Sequence, residues 1–286
     1  MLDRALLQEH MAGLTPDQRI RLRTYIDEAE FFLELLEDDL AMLPEGSQVV
    51  ELGSGCGLLS MLVASRGFRV TAFEPALSGF HEMGFLRRIV EASWVGTPPA
   101  VRWVEDVARA QNGGAGPRAA FAYSFNVLEH VEDAQEFVHG ALAHLDSHGK
   151  FRIVFPNYIY PYESHFNMPT LFNKRLTELV LGKLILKQGM KDAEARLDPL
   201  ALWAGLSWPT GGGIVRALKP LNVDLTFSRS ATHAYLDRAL TDTGFQTRKG
   251  PVLSRSITAA IPVVRECANV LNPRWLPVLD LTVRSV

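Results

Sequence analysis

Only two cysteines, Cys56 and Cys267, occur in 286 residues. Two thiols so far apart give no disulfide framework and no metal-ligand spacing, so no metal site is expected, and a reducing cytoplasm suits the chain. Secretion is not expected either: the first 23 residues carry Asp3, Arg4, Glu9, Asp17, Arg19 and Arg21 and no apolar stretch long enough for a signal. No run approaches a membrane span either, since the most apolar later stretch, 176–186, is broken by Glu178 and Lys183. Strong net charge is absent too, at −3, although acids outnumber bases by 10 through Lys150 and bases outnumber acids by 7 after it. The later cations (Lys174, Arg175, Lys183, Lys187, Lys191) are scattered and not interleaved with aromatics, so nucleic acid is not an expected partner. Neither internal repeats nor low-complexity tracts are visible. What is present, 47% apolar and 21% charged residues, is an ordinary globular composition, long enough for one large α/β domain with a cap or for two small domains.

Thr15-Pro16-Asp17 is a helix start, because Thr can cap free amides and Pro at the first helical position gives up a donor that had no partner. The apolar positions Tyr25, Phe32, Leu35, Leu36, Leu40 and Leu43 then recur at three- and four-residue steps as far as Pro44-Glu45-Gly46. From Gln48 short apolar runs alternate with amphipathic stretches, the pattern of βα units on a largely parallel sheet. Strands are expected over 49–52, 69–73, 101–104, 120–125 and 151–155, and helices over 58–66, 77–92 and 134–145. The rhythm stops after Phe155. Residues 157–230 read as a cap containing a structured loop, a helix over 171–197 and a flexible break at 208–213. A helix over 231–241, a strand over 245–248, a helix over 257–270 and a strand over 276–283 then complete the sheet. The expected units are 1–46 as a helical lid, 47–156 as the core, 157–230 as the cap and 231–286 as the completion of the core.

The most informative segment is Val49-Val50-Glu51-Leu52-Gly53-Ser54-Gly55-Cys56-Gly57-Leu58-Leu59, a buried strand running through a glycine turn into a helix. Glycines suit a sharp turn with positive φ and let a ligand approach the backbone, while the helix start offers unpaired amides to an anionic group. About twenty residues on, Glu74 and Pro75 follow the second strand. A carboxylate there can accept hydrogen bonds from both hydroxyls of an adenosine ribose. The spacing Gly53-x-Gly55-x-Gly57, with Leu58 where a dinucleotide fold wants Gly or Ala, fits a pyrophosphate poorly.

An acid, one residue, then G-x-G-x-G resembles the first motif of the class I S-adenosylmethionine (SAM) dependent methyltransferases. The resemblance covers 47–157 and, more weakly, 231–286. It implies a Rossmann-like methyltransferase fold: a doubly wound, mostly parallel seven-stranded sheet whose last strand is antiparallel, with an N-terminal helical lid and a helical cap inserted after the fifth strand. It also implies SAM as cofactor, held by Glu51, Gly53, Ser54, Gly55, Gly57, Glu74 and Pro75. Trp103-Val104-Glu105-Asp106-Val107 resembles the family segment that meets adenine, which points to Asp106 and Val107 with Glu105 in reserve. Ser124-Phe125-Asn126-Val127-Leu128-Glu129-His130-Val131 resembles the stretch lining the methionine end, which implies Asn126 and Leu128. Tyr25, on the N-terminal helix, can face the ligand or pack.

Enzymes acting at a sulfonium gain rate by aligning a nucleophile and excluding water, and need no metal for it. The segment leaving the fifth strand offers Tyr158, Tyr162, Glu163 and His165, which could form an aromatic cage with a base or could wedge the cap onto the sheet. His130 is a rival base that could equally pack or cap a helix start. Cys56 reads as a small filler, and Gly211 to Gly213 as a hinge. The expected function is methylation of a small molecule at a hydroxyl, amine or carboxylate. The alternatives are attack on the aminopropyl chain of SAM, as in cyclisation, which releases methylthioadenosine, or a silent methyltransferase-like binding subunit.

Overall fold

The computed structural model describes residues 2–75, 82–96, 99–105, 118–171, 173–190, 198–242, 246 and 251–286, the side chains of 251–258 excepted. Thr15 caps the expected long helix, α2 (Pro16–Ala41), through a reciprocal pair of hydrogen bonds with Gln18, and the short α1 (Arg4–Ala12), which the sequence reading did not anticipate, precedes it. The core units follow as β1 (Gln48–Leu52), α3 (Leu58–Ser65), β2 (Arg69–Phe73), α4 (Met83–Ala92), β3 (Val101–Val104), β4 (Ala119–Phe125), α5 (Ala134–Ala143) and β5 (Leu145–Pro156). β5 starts earlier than the strand expected over 151–155 and pairs with β4 from Leu145 onward.

After β5 come a two-strand hairpin, β6 (Tyr162–Glu163) and β7 (Met168–Pro169), then α6 (Lys174–Gly189), α7 (Pro199–Gly205), α8 (Gly211–Leu218), β8 (Val223–Ser228), α9 (Ser230–Thr241), α10 (Pro251–Val270) and β9 (Val278–Ser285). The main sheet has seven strands in the order β3-β2-β1-β4-β5-β9-β8, with β9 antiparallel to both neighbours and the others parallel. This is the expected methyltransferase fold. The order reverses between β1 and β4, which places the ligand crevice of a doubly wound sheet beyond their carboxyl ends.

Alternation along the strands sends side chains to two cores. Val49, Phe121, Tyr123 and Phe125 pack under α2, α3 and α4, whereas Val50, Leu52, Ala122, Phe151 and Ile153 pack against α5 and α8. A third, smaller cluster (Phe166, Met168, Ile185, Trp203, Leu206) holds the hairpin to α6 and α7. Two parts of the expected cap therefore belong to the main sheet: α8 covers one face and β8 is its edge strand. The strand expected at 245–248 lies outside the described residues except Gln246. The expected break at 208–213 is instead a helix start, because the Thr210 hydroxyl accepts from the Gly213 amide at 3.0 Å. Gly211 is required there because a Cβ would collide with the Arg274 carbonyl, so this glycine run serves packing and not a hinge.

α2 is pinned to the sheet at its C-terminal end. Arg152 on β5 makes a two-point ion pair with buried Asp280 on β9 (2.9 and 2.7 Å) and reaches Asp39 and the Leu35 carbonyl of α2, each at 2.7 Å. Only the N-terminal half of α2 is left to border the crevice.

Candidate active site

A cavity of about 1720 Å³ opens at the carboxyl ends of β1, β2, β4 and β5. Its first end is built by local sequence. Gly53, Gly55 and Gly57 all have positive φ (+78°, +54° and +75°), as the glycine spacing anticipates. At Gly53 and Gly57 the demand is double, since a Cβ would also run into Val127 and the Trp103 ring respectively. The turn is held by the Gly53 and Ser54 amides donating to the Phe73 carbonyl at 2.8 and 3.1 Å. The Gly55 amide donates to Glu74 Oε2 at 2.6 Å, so the turn and the second strand's acid grip one another across the crevice.

Glu51, Gly53, Ser54, Gly55, Glu74 and Pro75 line this end together with Tyr25, Asn126 and Leu128; Gly57 sits behind the wall at the head of α3. Glu51 accepts from the Ser60 hydroxyl and, at 3.2 Å, from the Tyr123 hydroxyl. Burial pushes the Glu51 carboxyl up to about 7, with those hydrogen bonds pulling the other way and the Glu74 charge adding to the rise. Glu74 is also pushed up to about 7 by burial, against the Gly55 amide and the Arg87 charge. Two desolvated carboxylates and a buried Ser54 hydroxyl with no hydrogen-bond partner therefore face one crevice. A ligand with positive charge, ribose hydroxyls and a carboxylate supplies what each of them lacks, so SAM fits these residues. Cys56 is buried and its thiol is pushed up to about 12 by desolvation, in keeping with a filler. Asp106 and Val107 lie outside the described residues. Glu105, the reserve, is described, and its carboxylate faces Arg87 at 3.4 Å.

The second end is assembled from distant segments. Glu129 and His130 close the short 3-10 turn after β4, and Tyr162 and His165 come from the hairpin region; all four line the cavity. The His130 and His165 rings meet edge to face with centroids 4.9 Å apart. His165 is steered from behind: its Nδ1 lies 2.7 Å from Glu163 Oε1, and the same carboxylate accepts from the Phe166 amide at 2.6 Å and the Tyr158 hydroxyl at 3.1 Å. Burial alone raises the Glu163 carboxyl, but the His165 imidazole and the Phe166 and His165 amides outweigh it and hold the group below its ordinary value. His130 is pushed down to about 3, first by burial and then by His165, and so is neutral.

Of the five residues expected to carry chemistry, Tyr162, His130 and His165 therefore reach the cavity. Tyr158 and Glu163 do not line it. Glu163 is fully buried and Tyr158 stacks on Trp208 at 5.2 Å, so they position His165 and fasten the hairpin. Glu129, Trp208 and Tyr235 also line the cavity and were missed. Glu129 was within the quoted motif, but an acid beside a histidine carries no signal until its neighbours in space are known. Tyr235 arrives from α9, and its hydroxyl accepts from Asn126 Nδ2 at 3.5 Å.

The model of the methyltransferase domain family matches residues 18–179. An uncharacterized protein of Mycobacterium tuberculosis strain H37Rv is 32% identical over 279 residues, which cover 97% of this chain and 92% of that protein. Among solved structures, an S-adenosylmethionine dependent methyltransferase from Mesorhizobium loti aligns over 87% of this chain and 97% of its own, with 17% identity and a TM-score of 0.48. Phosphoethanolamine N-methyltransferase 2 of Haemonchus contortus aligns over 90% of this chain and 52% of its own, with 10% identity and a TM-score of 0.46.

Proposed function

Because the chain belongs to the methyltransferase domain family, we propose that it uses SAM to methylate a small-molecule acceptor at a hydroxyl, amine or carboxylate held at the Glu129, His130 and His165 end of the cavity. The observation that carries this reading is the size and division of the cavity. Ligand pockets commonly measure about 300 to 1000 Å³, and about 1720 Å³ leaves room for the cofactor at the glycine turn and a second molecule beside it. That room also disfavours attack within SAM itself, which calls for no acceptor space.

SAM, when bound, supplies a methyl group already activated by a cationic sulfur. The chain's own part is then to grip and align. Glu74 and the Gly53 to Gly57 turn fix the nucleoside, Glu51 and Ser54 face the amino acid portion, and the walls of Tyr25, Phe125 and Tyr235 keep water away. At the far end, His165 is held by Glu163 in one orientation, which sets where an acceptor's proton leaves. No helix among the described residues is long and apolar enough to cross a membrane.

The test is incubation of the purified protein with methyl-labelled SAM and fractionated small-molecule extracts, followed by mass spectrometry. Label in a second molecule with equimolar S-adenosylhomocysteine is the expected result. Methylthioadenosine formed from SAM alone would replace this reading with attack on the aminopropyl chain.

A further inference from the structure

We infer that Glu129, His130 and His165 form a binding site for one divalent first-row transition ion, open on the cavity side to an oxygen or nitrogen of the acceptor. One ligand atom from each residue lies within 4.8 Å of the others. Donors sharing an ion at about 2.1 Å stand roughly 3.4 Å apart in a tetrahedral site, so small side-chain rotations close this cluster. Two imidazoles and one carboxylate form a donor set that suits zinc or ferrous iron and that catalytic sites use with a position left open.

A second, independent observation points the same way. Glu129 is 1% exposed, and its Oε2 has no hydrogen-bond partner although the residue lines the cavity. A buried carboxylate oxygen without a donor is costly, and a cation is one of the few partners that removes the cost. The surroundings are also arranged as they are around bound metals. Glu163 engages His165 Nδ1 at 2.7 Å, which fixes the ring from behind as carboxylates do for metal-binding imidazoles. The Ser207 amide and hydroxyl bind the Glu129 carbonyl at 2.7 and 3.2 Å, and the hydroxyl also donates to the Leu128 carbonyl at 3.1 Å, so the turn carrying two of the ligands is itself held. This deepens the preceding reading and rests on it for the acceptor alone: an ion here would bind the acceptor's heteroatom and lower its pKa so that the proton leaves to solvent, with His165 holding the ion in place of taking the proton itself.

The experiment needs no acceptor. Tag-free full-length protein, stripped with chelator, is equilibrated by dialysis against Zn²⁺ and, anaerobically, against Fe²⁺, and bound metal is counted by mass spectrometry. One ion per chain is expected. Glu129→Gln, His130→Ala and His165→Ala should each weaken binding by about 10-fold or more, and Glu163→Gln by roughly 10- to 100-fold. Calorimetric SAM affinity within twofold of the parent verifies the fold of each variant, and His165→Gln replaces any variant that fails it. Binding of neither ion in stoichiometric amount, or binding unaltered in the variants, overturns the site and leaves a proton as the partner of Glu129. Methyl transfer that proceeds in fully stripped protein would keep the methyltransferase reading and remove the metal from it.

Discussion

The two ends of the cavity are made in different ways. The cofactor end is built around one strand, one turn and the neighbouring strand, residues 48–75, whose own partner pairs are close in sequence or joined by parallel register, as Leu52 opposite Phe73 shows, with Tyr25, Asn126 and Leu128 completing its wall. The acceptor end joins the turn after β4 to a hairpin more than thirty residues later, with Ser207 and Tyr235 arriving from elsewhere. Local construction makes a site stereotyped and readable. Non-local construction lets a shared fold take different acceptors, because loops can be exchanged without disturbing the sheet.

The sharpest break between the ends is expected from His165→Ala. Turnover to S-adenosylhomocysteine should fall by roughly 10² to 10⁴, with SAM affinity by calorimetry within twofold; a matching loss of SAM affinity would mean that the ends are not separable. Gly57→Val attacks the other end. The left-handed backbone costs about 1 to 2 kcal/mol and crowding against Trp103 about 1 to 3 kcal/mol, so urea unfolding should show a loss of roughly 2 to 5 kcal/mol, together with weaker SAM binding. Glu74→Ala should lower SAM affinity by about 10- to 100-fold through lost ribose hydrogen bonds, and unchanged affinity would remove Glu74 from the ribose.

Acidity sharpens the comparison further. Glu51 and Glu74, both pushed up to about 7, release their protons between pH 6 and pH 8, so affinity for the cationic cofactor should rise over that window by up to about tenfold for each carboxylate whose charge it requires. Stability of the ligand-free protein runs the other way. Between about pH 4.5 and 7 the folded state still holds protons that the unfolded chain has released, so stability falls as pH rises, and thermal melts should show SAM stabilising more at pH 8 than at pH 5. The smallest effect is expected from Tyr158→Phe, which removes one hydrogen bond to Glu163 and should cost about 0.5 to 1.5 kcal/mol of stability, with a modest fall in turnover and no change in SAM affinity.

Much of the fold could be read along the chain. The cap of α2, the glycine turn and the first five strands all follow from residue type and period, since each is stabilised mainly by its own neighbours. Errors gathered after β5. Val223–Ser228 alternates only weakly in burial, as befits an edge strand, and it was assigned to the cap. The run Gly211-Gly212-Gly213 reads as a breaker, yet Thr210 caps it and the nearby Arg274 carbonyl leaves space for nothing larger than hydrogen. In the site, the glycines and Glu74 were legible from spacing, and Glu51 from the resemblance of its motif to the family's. Tyr158 and Glu163 were chosen for their chemistry but lie behind the wall, because burial of a side chain in an irregular segment depends on what packs over it.

The sequence alone determined the sheet's first half, the glycine bend at the crevice and the acid that meets it, because short-range sterics and hydrogen bonding decide those. Only the tertiary structure decided which polar side chains meet at the acceptor end. Glu129 and His165 lie 4.8 Å or less from one another at their ligand atoms, and no local rule brings them there. Their meeting depends on the hairpin docking against α6 and α7 through Phe166, Met168 and Trp203, where apolar burial of the cap sets the position of a charge outside it.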